Sequence, residues 1–456
     1  MLLRVASGKT DQMKLKYRLG RKARWLLAGL YLPALAMAQP AAMGSTLQDF
    51  YTAALEYSPL LQIAQERWNV NAARKAAATG QLLPQINAFA NISDNERESG
   101  GISTTYEGER YSVQLNQVLF NWQAFSARGR ASLLEDQAEA EYYAQLSVLL
   151  TEVADKYLGV LQAEDALNSL DSELEAMTNQ VNQLQSLFDR QLVQVTALYD
   201  GQARLAGVQA QRVTADSELQ LARAALRALS NLEAGALERL PEAIEVPPLE
   251  GALAEWIDRT RENNLTIEAR NYAYQAAQKQ VAEARGAYMP RVSLVVQQLQ
   301  SNTGFDNQRL DEYETGYVGV DVQMPLYAGG RNRAGEREAQ SLRNIAQNEL
   351  RQAQLDMIER ARTAFLQVKT GEARIIAGQA LLESTTTAYT AMQRGFELGT
   401  VTSVDLLNAL RDRFASEREL QRSRYDHLRA MLALRREAGD LDIDDLLDVS
   451  NMLVAQ

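Results

Sequence analysis

Apolar positions along this chain recur with two periods, and the switches between the periods divide it into elements. Residues 47–83 carry apolar side chains at helical spacing and end near Gly80 and Pro84, after which the period falls to two. A strand is expected over 86–92 and a clearer one over 111–117, where Tyr111, Val113 and Leu115 alternate with Ser112, Gln114 and Asn116. A polar, glycine-containing loop from Asp94 to Gly108 separates them. The helical period returns from Ala124 to Gln191 without a proline, and a second long helix is expected from Thr196 to about Leu232. A connector with Pro241, Pro247 and Pro248 follows, and then the series repeats. The second series predicts helix over 252–288, strands over 292–298 and 317–324, a long helix over 330–398 and its return over 404–437. The loop between its strands carries Gly304, Asp306 and Asn307.

The repetition keeps a nearly constant offset. Gly80, Pro84 and Tyr111 recur as Gly286, Pro290 and Tyr317 after 206 residues, Leu119-Phe120 as Leu326-Tyr327 after 207, and Phe188 as Phe396 after 208. A duplication with halves at 39–240 and 241–437 and a C-terminal segment at 438–456 suits a chain of 456 residues. Each half turns between its long helices, at Phe188–Gly201 (FDRQLVQVTALYDG) and at Phe396–Ala409 (FELGTVTSVDLLNA). Gln191 falls in the first turn. In the second, Gly399 suits the left-handed end of a helix, Ser403 can cap the next one, and Asp405 lies in its first turn.

The approach to both turns is a heptad seam. Leu167, Leu170, Leu174, Met177, Val181, Leu184 and Phe188 alternate spacings of three and four, and Ile375, Leu382, Tyr389 and Phe396 recur at sevens. Further from the turn, Ala339, Leu342, Ala346, Leu350, Ala353, Met357, Ala361, Ala364 and Val368 average about 3.6 residues, a straighter seam. Helices of this length run roughly 100 Å at 1.5 Å per residue, which exceeds a compact domain and calls for a tube or rod.

The strands alternate apolar and polar, as lipid-facing barrel strands do. Tyr106, Tyr111, Phe120, Trp122, Tyr288, Tyr313, Tyr317 and Tyr327 are placed near strand ends, where an interfacial belt would lie. Four strands cannot close a barrel, and open edges are not tolerated in lipid, so several chains would share one barrel.

Composition narrows the function. The absence of cysteine excludes disulfides, thiolate metal sites and cysteine nucleophiles. With one histidine, His427, the usual histidine dyads and metal clusters are not expected either; in its helical run RSRYDHLRAML it is expected at the surface or in a groove. No metal, cofactor or catalytic group is expected. Net charge is −11, but residues 1–38 hold eight Lys/Arg against one Asp, which leaves an acidic body and argues against nucleic acid. Lys14, Lys16, Arg18, Arg21, Lys22 and Arg24 precede the apolar run Trp25–Leu35 and the small-residue site Ala36-Met37-Ala38, the pattern of an export signal, with translation starting at Met1 or Met13. No later apolar run is long enough for a spanning helix.

The chain resembles the TolC family of outer-membrane exit ducts used in type I secretion and efflux. LLPQINAFA and its second copy YMPRVSLVV carry the likeness, with MPLYAGGR, GTVTSVDLLNA and the terminal ALRREAGDLDIDDLL. The resemblance implies a mainly α, internally duplicated fold with three parts. These are a long α-helical barrel, a transmembrane β-barrel shared by a homotrimer at four strands per chain, and a mixed α/β equatorial belt. It implies location in the outer membrane and periplasm of a Gram-negative cell. The partners it implies are outer-membrane lipid, a periplasmic adaptor protein and an inner-membrane ABC or proton-driven transporter. It also places the gate at the helical tip. There Asp405 matches the first of two pore-lining carboxylates, and Asn408 stands at the second. Thr196 and Gln180 match polar latch positions, whereas Ala197, Phe396, Val401 and Gln393 depart from them. Alanine cannot accept a hydrogen bond and phenylalanine lacks a hydroxyl, so apolar packing of Phe188 and Phe396 is expected to hold the gate.

Two other readings are weighed. A soluble periplasmic coiled-coil adaptor would account for helices and signal but not for the alternating strands. A secreted carboxylate hydrolase lacks a convergent acid pair, and AGGR lacks the spacing of a P-loop.

Overall fold

The computed structural model describes residues 43–44, 46–241, 249–304 and 308–453. The export signal, Pro247, Pro248, Asp306 and Asn307 lie outside the described residues. Met43–Gln456 forms one compact unit. After strand β1 (Met43–Gly44) come α1 (Leu47–Tyr57), α2 (Pro59–Gly80), β2 (Gln85–Ser99), β3 (Ile102–Phe120), α3 (Trp122–Asp189) and α4 (Val195–Ser230). Past β4 (Glu233–Ala234) the order recurs as α5 (Leu253–Asn263), α6 (Leu265–Gly286), β5 (Arg291–Thr303), β6 (Arg309–Gln323), α7 (Arg331–Glu397) and α8 (Ser403–Ala438), with α9 (Ile443–Asn451) last. The paired helices have nearly equal lengths: 11 and 11, 22 and 22, 68 and 67, 36 and 36 residues.

Three sequence expectations need correction. The helices expected over 47–83 and 252–288 are each broken, at Ser58 and at Asn264. Ser58 Oγ accepts from Leu61 N–H and Pro59 sits where its missing N–H costs nothing; Asn264 Oδ1 accepts from Thr266 and Ile267. The loop expected from Asp94 to Gly108 is mostly strand. Backbone pairing from Gln85↔Asn116 continues to Ser99↔Ile102, because a two-residue turn at Gly100 (φ 65) and Gly101 (φ 83) lets polar residues zip onward. Finally, Thr402 rather than Ser403 caps α8: its side chain accepts from Asp405 N–H at 3.2 Å, and Ser403 is the first helical residue.

The four long strands form one antiparallel sheet in the order β2-β3-β5-β6, with β2 and β6 at its edges. Register places Ile86, Leu115, Val296 and Val318 in one row, flanked by Ala88, Val113, Leu294, Val320, Val292 and Val322 on the same face. Of these, Ile86, Val113, Val318, Val320 and Val322 are more than half exposed, an apolar surface that water would not favour. Phe120, Trp122, Tyr288 and Tyr327 sit exposed where sheet passes into helix, but Tyr106, Tyr111, Tyr313 and Tyr317 lie within the longer strands, and Tyr106 is buried. Of the aromatic residues expected near strand ends, then, only those at one end of the sheet are found there.

At the other end of α1 and α4, β1 and β4 pair in parallel, and the largest core gathers there. Phe50 of α1, Tyr157 and Val153 of α3, Leu226 of α4, Leu432 of α8 and Leu446 and Val449 of α9 share it, so the C-terminal segment closes over both halves. Helix α6 lies between α3 and α7, whereas α2 packs on α3 and has no helix of comparable contact on its other flank.

Candidate functional site

The two hairpin turns are built alike, and both feed one apolar cluster. In the first, Gln191 N–H donates to Phe188 O and Leu192 N–H to Leu187 O; in the second, Gly399 N–H donates to Phe396 O and Thr400 N–H to Gly395 O. This is the closure that satisfies the last carbonyls of a helix through a left-handed residue, here Gln191 (φ 59) and Gly399 (φ 74). Leu170, Met177 and Leu184 of α3, Leu198 and Val208 of α4, and Leu407, Leu410 and Phe414 of α8 are buried together, with Phe188, Tyr389 and Phe396 packed against them. The heptad seams of the two halves therefore meet in a single core next to both turns. Phe188 and Phe396 are half-buried in it.

Asp405 is exposed in the first turn of α8, where the helix dipole suits a carboxylate. Its carboxylate accepts from Thr402 Oγ1–H at 2.6 Å, so it is held rigidly at the mouth of the helix. Asn408 follows three residues later on the adjoining face and is half-buried. Its Oδ1 accepts from Arg204 Nη1–H of α4 at 2.9 Å, while Arg204 Nε–H donates to Asp200 at 2.9 Å. The structure thus brings Asn408 to the first hairpin and leaves Asp405 facing solvent. Thr196 is exposed, its hydroxyl 3.4 Å from Gln194 Oε1; Ala197 is half-buried, its N–H donating to Gln194 O. Gln180 is half-buried on α3, and Gln393 is exposed. Val401 folds over Gly395, where a β-carbon would come within 2.5 Å of its Cγ2. The residues aligned with a family latch do not pair with one another here.

Sequence reasoning missed Arg204 and a series of polar pairs between α3 and α8. Arg418 donates to Glu173 at 2.6 Å, Tyr425 to Asp165, Arg429 to Gln162 at 2.7 Å and Arg436 to Thr151 at 3.2 Å, and Arg429 also forms an ion pair with Asp155, 2.9 Å from Nε to Oδ1. The signal was present: Arg418, Tyr425, Arg429 and Arg436 lie 7, 4 and 7 residues apart, the spacing of one helical stripe. Burial pushes the Asp165 carboxyl up despite the Tyr425 hydrogen bond, and burial beside Asp165 pushes the Tyr425 phenol up. Of the two places expected for His427, the surface or a groove, the surface is excluded. His427 is 1 % exposed, and its ring fills the space left by Gly371, where a β-carbon would stand 2.7 Å from Nδ1. Burial pushes its imidazole below the ordinary value; Glu372 opposes the shift and Lys369 adds to it.

A sheet with an exposed apolar face is continued by long paired helices that end in a shared core beside both turns, and with the family and relatives that follow this is an outer-membrane duct that extends into the periplasm. The sequence profile of the family described as Outer membrane efflux protein matches residues 50–232 and again 256–440, and the chain belongs to that family. The chain is 27% identical over 429 residues to outer membrane protein TolC of Vibrio cholerae, covering 91% of this chain and 96% of that one. It is 28% identical over 437 residues to the alkaline protease secretion protein AprF of Pseudomonas aeruginosa, covering 93% and 90%. Among solved structures, a CusC channel superimposes with a TM-score of 0.76 at 17% identity over 91% of this chain and 99% of its own. The outer-membrane channel OprN gives 0.75 at 18% identity over 90% and 99%. The relatives are transport channels, and the soluble-adaptor reading is set aside.

Proposed function

We propose that three copies of this chain close head to tail into one export duct, gated at the tip where both hairpins share their core. The observation that carries the proposal is an asymmetry between equivalent joints. Where the first half meets the second within the chain, glycines are filled against: a β-carbon at Gly286 would lie 2.7 Å from the Gln123 backbone, and one at Gly129 would meet Lys279. At Gly80, the counterpart of Gly286 in the other half, nothing lies within 4 Å of where a β-carbon would stand. The joint from second half to first is open, as are the edges β2 and β6 and the free flank of α2. An open joint that repeats a filled one is a heterologous interface, and such an interface generates a ring when the rotation between copies closes. Three chains would supply twelve strands, a closed barrel without edges in lipid.

The remaining parts follow from that ring. Residues 1–38 act as the export signal. The tip docks to a periplasmic adaptor and an inner-membrane ABC or proton-driven transporter, which supplies the energy; the duct itself is passive, needs no cofactor and is no enzyme. Cargo is secreted protein, small molecules or both; AprF, a protease secretion protein by name, favours protein. Asp405 from each copy forms an acidic ring that favours cations, while Asn408 leaves the second ring neutral. Phe188 and Phe396 close the tip by apolar packing, flanked by Gln180, Thr196, Ala197, Gln393 and Val401. Reconstituted in planar bilayers, Asp405→Asn should lower cation selectivity and block by trivalent cations; unchanged selectivity would sink the ring. A deletion strain assayed for both drug sensitivity and secreted protein decides the cargo.

A further inference from the structure

The filled joint and the open one repeat each other in position but not in charge. In the filled joint Ala269, Ala276 and Ala277 of α6 are buried, and Arg130 of α3 forms an ion pair with Glu283, 3.0 Å from Nε to Oε2. Lys279 lies over Gly129 beside that pair. The offset of 206 that relates Gly80 to Gly286 replaces the three buried alanines by Ile63, Val70 and Asn71 of α2, Glu283 by Ala77 and Lys279 by Ala73. Ile63 and Val70 are 49 % and 47 % exposed, and Ala73 and Ala77 are exposed as well, so this is the face that a neighbouring copy would cover. The offset of 207 that relates Leu119-Phe120 to Leu326-Tyr327 puts Arg337 of α7 where Arg130 stands. Closing the open joint therefore sets an arginine opposite alanine, and the two long side chains that fill the first joint are missing from the second.

No carboxylate nearby takes the place of Glu283. From Asn69 to Gln85 the chain has no acidic residue, and Lys75 is paired with Glu135. Glu336 accepts from Arg285 within the chain at 2.9 Å, and Glu338 adjoins Arg337 in sequence, so it lies on a different side of the helix. Arg333, one turn before Arg337 and on its face, is exposed, and neither arginine has an ion pair among the described residues. Arg74 lines the same face of α2 as Ile63 and Val70, one turn from Ala77. The joint also lies at the edge of the membrane. Ala77 is three residues from the end of α2 and Arg337 six from the start of α7, roughly 5–9 Å along their helices. A headgroup layer is about 5–8 Å deep. Trp122 and Tyr288 flank the filled joint and still remain exposed, as aromatic residues at a membrane interface do.

We infer that each joint between copies holds the phosphate of an anionic phospholipid from the periplasmic leaflet of the outer membrane. Arg337 and Arg333 of one copy and Arg74 of the next grip it, and its acyl chains run along the exposed apolar face of the sheet. The inference rests on three copies closing into a ring. Guanidinium groups match the free oxygens of a phosphodiester with paired N–H donors, and the alanines leave the headgroup its room. The lipid occupies the place that Glu283 and Lys279 fill in the other joint.

Native mass spectrometry of the full chain in detergent, supplied with phosphatidylglycerol, tests it. The parent trimer should retain three lipids. Arg337→Gln should weaken retention about ten-fold or more, as expected when a charge-assisted contact is lost, and leave the trimer intact. Ala77→Glu rebuilds the Arg130–Glu283 pair between copies, so it should expel the lipid without lowering the temperature at which the trimer dissociates. Both substitutions together strand the new carboxylate and should dissociate at a lower temperature than Ala77→Glu alone. Equal retention by the parent, Arg337→Gln and Ala77→Glu overturns the site. Displacement of the lipid by inorganic phosphate at matching concentration also overturns it, by marking a site for free phosphate. Should Arg337→Gln fail to assemble, Ala77→Glu decides by whether it sheds the lipid. A parent trimer that holds no more lipid than Arg337→Gln sinks the lipid site and leaves the ring standing, whereas a parent that forms no trimer sinks both.

Discussion

Gln191 and His427 are the two residues whose surroundings most constrain what substitution will do. Gln191 holds a left-handed backbone at the position that its counterpart, Gly399, fills with glycine. A side chain there costs roughly 1–2 kcal/mol, so Gln191→Gly should raise thermal stability by about that amount at most, as a melting curve in detergent would register. His427 is kept below its ordinary value by burial, so between that folded value and about pH 6.5 the unfolded chain binds the extra proton. Stability is therefore complete above about pH 6.5, declines as pH falls, and levels off once the buried ring itself protonates. Melting temperatures above and below that point should diverge less in His427→Phe than in the parent. Glu173→Ala removes the buried partner of a half-buried arginine and should cost about 2–4 kcal/mol by the same melt. The turn glycine was legible as sequence, because its conformation is local. His427 was not, since a histidine in a charged helical run has the same spelling whether it meets water or the gap beside Gly371.

At the scale of elements, length and period carried most of the fold. The long helices begin and end within about two residues of where their periodicity stops. The strands came out longer than their apolar alternation, because backbone pairing continues through Ser93–Ser99 without apolar support. Close packing of α7 on α8 depends on Gly371, and Gly371→Ala should destabilise the pair by about 1–3 kcal/mol. Adding His427→Ala should recover part of the loss; equal melting temperatures for single and double variants would show that the ring is not the obstacle. The polar pairs between α3 and α8 escaped the sequence for a plain reason. Each joins residues more than 240 positions apart, and no local pattern marks which carboxylate an arginine will meet.

At the scale of the whole molecule, the filled and open glycine joints make opposite predictions for the same chemistry. Gly286→Leu drives a side chain into the Gln123 backbone and should prevent folding of the chain. A β-carbon at Gly80 meets nothing within the chain, so Gly80→Leu should leave it folded while blocking assembly, seen as loss of the detergent-resistant oligomer in light scattering. If Gly80→Leu assembles as well as the parent, the head-to-tail ring is wrong. The duplication, the helix–strand alternation, the coiled approach to both turns and the membership of a duct family were all determined by the sequence alone. Periodicity and repetition are one-dimensional, and each element's amphipathic face is written into its own spacing. Only the tertiary structure decided that both seams enter one core, that Asn408 belongs to Arg204 rather than to open solvent, and that one of two equivalent joints is left unfilled. Those facts depend on which surfaces meet, and in an internally repeated chain the same spelling serves both the face that is covered and the face that waits for a partner.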